Sequence, residues 1–318
     1  MKKRIVILFM IACIGLGQLV GCSEDKDSER QAYKQYGINC IESGKYEEAV
    51  EAFQSALDQS VGTVGAEELD ICFYKAKAQY LAGDVDAALD TYTAIIDYND
   101  DADAYYLRGN VYYAQGDNEK GNADFKSAIS EDSDNYQIYI GIYQTLAAQG
   151  FLEEGRKYLD EALEIKAKTG NDYMQLGRIY ELTGDNESAE KNYKKAIEKD
   201  ESEANYYLGQ FYLNNDREDE AQACFDEYLK AAGEDPYILC EMGQAQLSKG
   251  NYSTAITYFE TALDLDNVPN RQIIMKNLIV AYEYSGDFQS ASDMMADYLE
   301  NYPNDQDAQR ENQFLETR

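Results

Sequence analysis

The sequence predicts an all-α fold, an α-α superhelical solenoid of about eight helix-turn-helix repeats. Turn positions recur about 34 residues apart, a period typical of stacked helical repeats. They lie at Gly44, Gly83, Gly116, Gly150, Gly184, Asp216, Gly250 and Gly286. Five residues after each turn position stands Ala or Gly, and four residues further stands a large side chain such as Phe53 or Tyr193. No segment shows the two-residue alternation that is typical of a β-strand.

The first element along the chain is a leader over residues 1–21. Lys2, Lys3 and Arg4 give it a basic start, and the apolar stretch from Ile5 to Gly17 follows. That stretch is shorter than the roughly 20 residues that a membrane-spanning helix needs. A basic start, a short apolar middle and small residues at the exit are typical of a secretory signal peptide.

The leader ends in Leu19-Val20-Gly21-Cys22, which resembles the lipobox of bacterial lipoproteins. The resemblance implies that Cys22 carries a diacylglycerol and that the leader is cut just before it. The chain would then be lipid-anchored to a bacterial cell membrane and face away from the cytoplasm, at the cell surface or in the periplasm. An ordinary signal peptide with a chance cysteine is the alternative. Residues 22–29 are expected to form a short acidic tether.

The repeats are expected to follow over residues 30–303. Their predicted starts lie near residues 30, 69, 102, 136, 170, 202, 236 and 272. The small residue lets the two helices of a hairpin approach closely, and the bulky residue one turn later fills the space beside their crossing. Residues 59–65 form a short insertion in the first connection between repeats. Residues 304–318 are polar and helix-compatible, and form the predicted C-terminal capping segment.

This period, with its small and large positions, resembles the tetratricopeptide repeat. In that family the first helix of each repeat lines a concave groove that binds proteins or peptides, and the resemblance implies which residues line it here. They are Phe73, Lys77, Tyr80, Tyr106, Asn110, Tyr113, Gln144, Arg178, Tyr206, Gln210 and Gln244. Aromatic side chains are typical of binding interfaces. The alternative is that the 29 tyrosines of this chain simply make half-exposed tyrosines common.

Composition and motifs exclude several classes of function. A formal net charge of -32 repels nucleic acid, and the chain has no His, the usual general base and metal ligand near neutral pH. The acidic segment from Asp97 to Arg108 lacks the Gly and the Glu that a calcium-binding EF-hand loop needs, so no metal or other cofactor is expected. Phosphate-binding loops and nucleophile motifs are missing from the sequence after the leader, which predicts that the protein is not an enzyme.

Four cysteines remain besides Cys13 and Cys22, and none has CxxC spacing. They are Cys40, Cys72, Cys224 and Cys240. Such cysteines are expected to be small apolar core residues. A disulfide between Cys224 and Cys240 stays open, since the two lie on consecutive predicted helices.

The sequence therefore predicts a non-enzymatic, membrane-anchored lipoprotein that acts as a protein- or peptide-binding scaffold at the bacterial cell envelope. Its predicted partners are an envelope protein or peptide and, through the lipid, the membrane. The alternative is a lipoprotein that captures an oligosaccharide or another small solute for an import system. These functions depend on side chains in the groove, because helical solenoids serve many purposes.

Overall fold

The computed structural model describes residues 24–60, 64–315 and 317, and the leader and Cys22 lie outside these residues. The described part contains 17 α-helices and no strand, which confirms the predicted all-α repeat fold. The helices are α1 (Glu24–Glu42), α2 (Tyr46–Asp58), α3 (Ala66–Leu81), α4 (Val85–Asn99), α5 (Ala102–Ala114), α6 (Asn118–Glu131), α7 (Tyr136–Ala148), α8 (Leu152–Leu163), α9 (Gly170–Thr183), α10 (Asn186–Ile197), α11 (Glu203–Asn214), α12 (Glu218–Ala232), α13 (Pro236–Ser248), α14 (Tyr252–Leu263), α15 (Arg271–Ser285), α16 (Phe288–Asn301) and α17 (Gln306–Leu315). None of the described helices is both long and apolar enough to cross a bilayer.

Each odd-numbered helix up to α15 forms a hairpin with the helix that follows it, and the turn between them has a recurrent chemistry. Gly184 ends α9 in the left-handed conformation, at φ 84°, which glycine adopts without steric cost. The next residue, Asp185, caps α10 by accepting a hydrogen bond of 3.1 Å from the backbone N–H of Ser188. The Gly-Asp pair therefore ends one helix and begins the next. Asp216 occupies the glycine position of the sixth turn and has φ 56°.

The two helices of a hairpin cross where the first helix lacks a side chain. A Cβ atom added to Gly243 of α13 would lie 2.4 Å from Cε1 of Phe259 on α14, closer than any real contact. Phe259 is fully buried. The same arrangement pairs Gly37 with Phe53, Gly109 with Phe125, Gly177 with Tyr193 and Gly209 with Phe225. The small and large positions of the repeat are thus two halves of one contact.

The chain divides into two compact units, the first ending at Tyr158 and the second beginning at Leu159, within α8. In the first unit, buried clusters form around Phe53, Tyr92 and Phe125. In the second unit, they form around residues that include Phe225 and Phe259. Apolar clusters of this kind, repeated along the chain, hold each hairpin to its neighbour within a unit.

The two ends of the described chain are helical. α1 begins at Glu24 and so extends through most of the segment 22–29 that the sequence predicts as a tether. Acidic residues favour the first turn of a helix, and Arg30 reinforces this turn through a contact of 3.1 Å with Asp27. At the other end, α17 buries Ala308 and Leu315 against α15 and α16 and covers the last hairpin.

All four described cysteines are free. Cys224 packs against the buried cluster around Phe225, whereas Cys240 belongs to the cluster around Phe259. The Cys224–Cys240 disulfide that the sequence left open is therefore not formed, because the two side chains pack into different clusters. Burial raises the pKa of both thiols, which keeps them in the neutral form.

Candidate functional site

A groove of about 430 Å³ lies between α3 and α5 in the first unit. It brings together four of the residues predicted to line a groove, which are Phe73, Lys77, Tyr80 and Asn110. The remaining lining residues are Asp70, Tyr74, Tyr92, Leu107 and Val111. The helical period explains the grouping, because residues three and four apart on α3 share one face.

The groove has aromatic and apolar walls. The ring of Phe73 lies 6.4 Å from that of Tyr92, centroid to centroid, with the two planes tilted by 49°. Tyr92 extends from α4 and contributes to the lining although it is only 4% exposed, and burial raises the pKa of its hydroxyl to about 12. Tyr80, in contrast, is 38% exposed. An occupant of this groove would therefore meet both a largely buried ring, that of Tyr92, and an exposed one, that of Tyr80.

Charge in the groove is carried by two side chains of α3. The carboxylate of Asp70 lies 2.6 Å from Nζ of Lys34 on α1, so it is neutralised within the protein. Lys77 is exposed and forms no ion pair with any residue that the structure describes. The groove consequently presents one uncompensated positive charge in a chain whose net charge is -32.

Asn110 supplies a polar group from α5. Its side-chain oxygen accepts a hydrogen bond of 2.8 Å from the hydroxyl of Thr145. This contact orients the amide, and its NH₂ group keeps both hydrogens free of partners within the described chain. Asn110 is thus a fixed donor on the wall opposite Lys77.

Tyr106 and Gln144, also predicted to line a groove, do not line this cavity. A Cβ atom added to Gly141 would lie 2.4 Å from the Tyr106 hydroxyl oxygen, which shows that Tyr106 packs closely onto α7. Gln144 is exposed on α7. The face that they form continues along the first unit, but the enclosed part of it ends at α5.

Tyr113 is a core residue, and the prediction that it lines the groove is wrong. It is 4% exposed, its ring stacks on Phe125 at 5.2 Å, and its hydroxyl donates a hydrogen bond of 2.7 Å to Asn122. Gly121 on α6 leaves the space for this ring, because a Cβ there would lie 2.4 Å from it. The side chain therefore turns toward the second helix of its own hairpin.

The other predicted groove residues belong to the second unit, and three of them have partners there. The guanidinium of Arg178 lies 4.9 Å from the ring centroid of Tyr207 and donates a hydrogen bond of 2.8 Å to Gln175. The ring of Tyr206 packs against Tyr207 and Tyr228. Gln210 donates to the carboxylate of Glu241, and Gln244 is exposed without a described hydrogen bond.

Glu241 is an unusual carboxyl group in this second unit. Burial and the nearby charge of Asp235 raise its pKa to about 7. A single such group does not make a catalytic site, since acid–base catalysis also requires a bound substrate within reach. Among residues 24–60, 64–315 and 317, no three or more Cys, Asp or Glu side chains are grouped in a way that could hold a metal ion.

Comparison with known families agrees with this architecture. A family model of the tetratricopeptide repeat matches residues 41–105, 73–136, 106–172 and 240–306, and a second model of the repeat matches residues 182–241. These matches cover more than half of the chain. The chain belongs to the tetratricopeptide repeat family. Tetratricopeptide repeat proteins commonly act as protein-binding scaffolds and are typically non-enzymatic.

The individual curated proteins that match the chain resemble it only distantly. Superkiller complex protein 3 of Mus musculus is 23% identical over an alignment of 216 residues, and the match covers 54% of this chain and 14% of that protein. Stress-induced-phosphoprotein 1 of Caenorhabditis elegans is 26% identical over 192 residues, 58% of each chain. This chain thus spans less than two thirds of the length of either relative.

Two solved structures of tetratricopeptide repeat proteins are also similar. A repeat protein from Parabacteroides merdae gives a TM-score of 0.47 at 14% identity, over 80% of this chain and 99% of that one. YrrB, described as having an unusual peptide-binding site, gives a TM-score of 0.36 at 21% identity, over 58% of this chain and 96% of that one.

Proposed function

We propose that this protein is a non-enzymatic, lipid-anchored scaffold that binds a protein or peptide on the outer side of a bacterial cell membrane. The observation that supports binding most directly is the groove between α3 and α5. It combines apolar walls with a free cation and a free amide donor. This combination suits a polypeptide, which offers apolar side chains and polar groups in alternation.

The side chains of the proposed groove suit binding rather than catalysis. Phe73, Leu107 and Val111 offer apolar surface, and aromatic side chains give large contact areas at a small cost in conformational entropy. Such a surface stabilises an extended segment or one face of a helix through burial, while the polar groups select its register.

The proposed location rests on the sequence before α1. The basic start, the apolar stretch and the Leu19-Val20-Gly21-Cys22 motif together favour a lipid attached at Cys22. Each buried methylene of an acyl chain contributes about 0.8 kcal/mol to membrane binding. The lipid would hold the scaffold at the surface where an envelope partner is found.

Site-specific photo-crosslinking in cells tests the binding proposal. A photoreactive phenylalanine analogue replaces Tyr80 in the groove, and in a control it replaces Tyr98, which is 55% exposed on α4 and does not line the groove. We expect a discrete protein adduct from position 80 and none from position 98. Equal crosslinking at both positions, or a shift of the melting temperature by glycans without any protein adduct, would contradict the scaffold.

Replacement of the lipidated cysteine tests the location. The variant Cys22→Ala should leave the protein in the soluble fraction after cell disruption, whereas the wild type stays with the membranes. Replacement of the buried Cys40 by Ala is the control, and should not change the fractionation. Membrane retention of the Cys22→Ala variant would exclude the lipid anchor.

A further inference from the structure

The hydroxyl of Tyr92 has no hydrogen-bond partner among the described residues, although the side chain is only 4% exposed and lines the groove. The residue at the same position of the fifth repeat, Tyr193, donates a hydrogen bond of 2.9 Å to Glu181. Buried hydroxyl groups are normally hydrogen-bonded, because a buried donor without a partner is destabilising. The Tyr92 hydroxyl is not among the fully buried polar atoms that lack a partner, so its oxygen meets the solvent of the groove instead of an internal acceptor.

A single difference between two repeats explains why the Tyr92 hydroxyl has no internal acceptor. Glu181 stands three residues before the turn glycine Gly184, and the residue three before Gly83 is Tyr80. Tyr80 lines the groove. A tyrosine thus replaces the glutamate whose carboxylate would accept a hydrogen bond from Tyr92. The Tyr92 hydroxyl is therefore available to donate to a group that enters the groove.

Besides the tyrosine hydroxyls, a lysine and an amide line the same cavity as donors. Lys77 has no ion pair within the described chain, and the NH₂ group of Asn110 has no described partner because Thr145 occupies only its oxygen. The one carboxylate of the lining, Asp70, is neutralised by Lys34. These donors, of which only Lys77 is charged, consequently face a cavity whose single carboxylate is already paired with Lys34.

We propose that the groove between α3 and α5 recognises the carboxylate of an Asp or Glu side chain within an apolar peptide segment, with Tyr92 and Asn110 as neutral donors and Lys77 as the charged one. This inference rests on the proposed function. A hydrogen bond to a carboxylate is about twice as strong as one between neutral groups, so these donors would select an acid over its amide.

The lining also indicates which acid is recognised. The one free lysine balances the single charge of a carboxylate, whereas a phosphate carries a charge of about -1.5 to -2. Along α3, Lys77 lies between Phe73 and Tyr80, each about one turn away. Aromatic groups on both sides of the cation favour an acidic residue inside a segment, with apolar neighbours on either side, over the end of a chain.

Selection from a random peptide library tests the chemistry. The full chain, purified in detergent, is exposed to random dodecapeptides displayed on phage with their C-termini fused to the coat protein, so that only side chains offer carboxylates. We expect bound peptides to be enriched in Asp or Glu flanked by apolar residues. Enrichment without acidic residues would overturn the inference, and so would binding only of synthetic peptides with a free C-terminus. Retention of no peptide would contradict the proposed function instead.

Matched variants then test the assigned donors with one selected acidic peptide. Tyr92→Phe removes only a hydroxyl that has no internal partner, and should weaken binding about tenfold without lowering the melting temperature. Tyr193→Phe should lower the melting temperature and leave the affinity unchanged. Lys77→Gln should abolish the preference for the peptide over its Glu-to-Gln analogue. Unchanged affinity in Tyr92→Phe and an unchanged preference in Lys77→Gln would refute the assignment.

Discussion

Arg108 donates two hydrogen bonds of 2.8 Å each, from Nε and Nη2, to the two carboxylate oxygens of Asp124. The pair links α5 to α6, and Nη1 of the same guanidinium donates to the hydroxyl of Thr93 on α4. The exposed fractions of the Arg108 and Asp124 side chains are 15% and 8%. One ion pair therefore joins three helices at the hairpin that forms one wall of the groove.

Removal of one partner of this ion pair should be strongly destabilising. We expect Asp124→Ala to lower the free energy of unfolding by about 3 kcal/mol, because it leaves a largely buried guanidinium without its counter-charge. Chemical denaturation measures the change. The control is Glu227→Ala, which breaks a pair with Lys230 in which both side chains are more than half exposed. Similar losses in the two variants would show that the buried pair contributes no more to the free energy of unfolding than the exposed pair does.

A methyl group at the hairpin crossing should also destabilise the protein. Gly243→Ala places a Cβ 2.4 Å from the ring of Phe259, and overpacking of this kind typically costs about 1–3 kcal/mol. Shortening the partner should relieve the clash, so the same change should cost less in a Phe259→Leu background. A double-mutant cycle from denaturation midpoints gives the coupling, and simple additivity would exclude direct contact.

The sixth turn should gain stability from the residue that the other turns use. Asp216 has φ 56°, a conformation that costs an ordinary L-residue roughly 1–2 kcal/mol. We expect Asp216→Gly to raise the free energy of unfolding by about 1 kcal/mol after the extra chain entropy of glycine is subtracted. In the interior of α12, Ala223→Gly should instead lower it by about 1 kcal/mol. A loss in both variants would contradict the conformational explanation.

The raised pKa of Glu241 predicts a pH dependence of stability. In the unfolded chain a glutamate titrates near 4.3, whereas in the fold Glu241 keeps its proton up to about pH 7. The contribution of Glu241 to the free energy of unfolding is therefore fully present below pH 4.3, and it is lost as the pH rises to 7. We expect Glu241→Gln to raise the melting temperature at pH 8 and to change it little at pH 4.5.

Asp305 provides the opposite control. Its hydrogen bond with Lys276, together with one from Tyr298, lowers its pKa, so the ionised form stabilises the fold above pH 4 and this contribution is lost in acid. Asp305→Asn should consequently lower the melting temperature at pH 8. A lower melting temperature of Glu241→Gln at pH 8 would contradict the explanation for Glu241, and a higher one of Asp305→Asn would contradict that for Asp305.

The repeat architecture could be predicted because its signals are local and recur. The turn glycine, the small residue and the large residue act within one hairpin, and Gly177 opposite Tyr193 is a contact that the spacing alone anticipates. The absence of a disulfide between Cys224 and Cys240 could not be predicted in this way. Whether Cys224 and Cys240 meet depends on which cluster each side chain enters, and spacing does not determine that.

The groove could be predicted only in part for a related reason. The position of a residue along the first helix of its repeat was enough to predict that Phe73, Lys77 and Asn110 line a groove, because side chains at these positions point to the same side. The same rule gave the wrong orientation for the side chain of Tyr113, which turns into the space that Gly121 leaves on the next helix. It also did not reveal the free hydroxyl of Tyr92, which becomes visible only when hydrogen-bond partners are compared between repeats.

The contrast between Tyr92 and Tyr193 bears on how repeat proteins acquire new specificity. Duplicated hairpins hold the same contact in several copies, so one copy can give up its internal partner while the remaining copies preserve the frame. A ligand site then arises by exchange of one residue near a turn, without any new backbone.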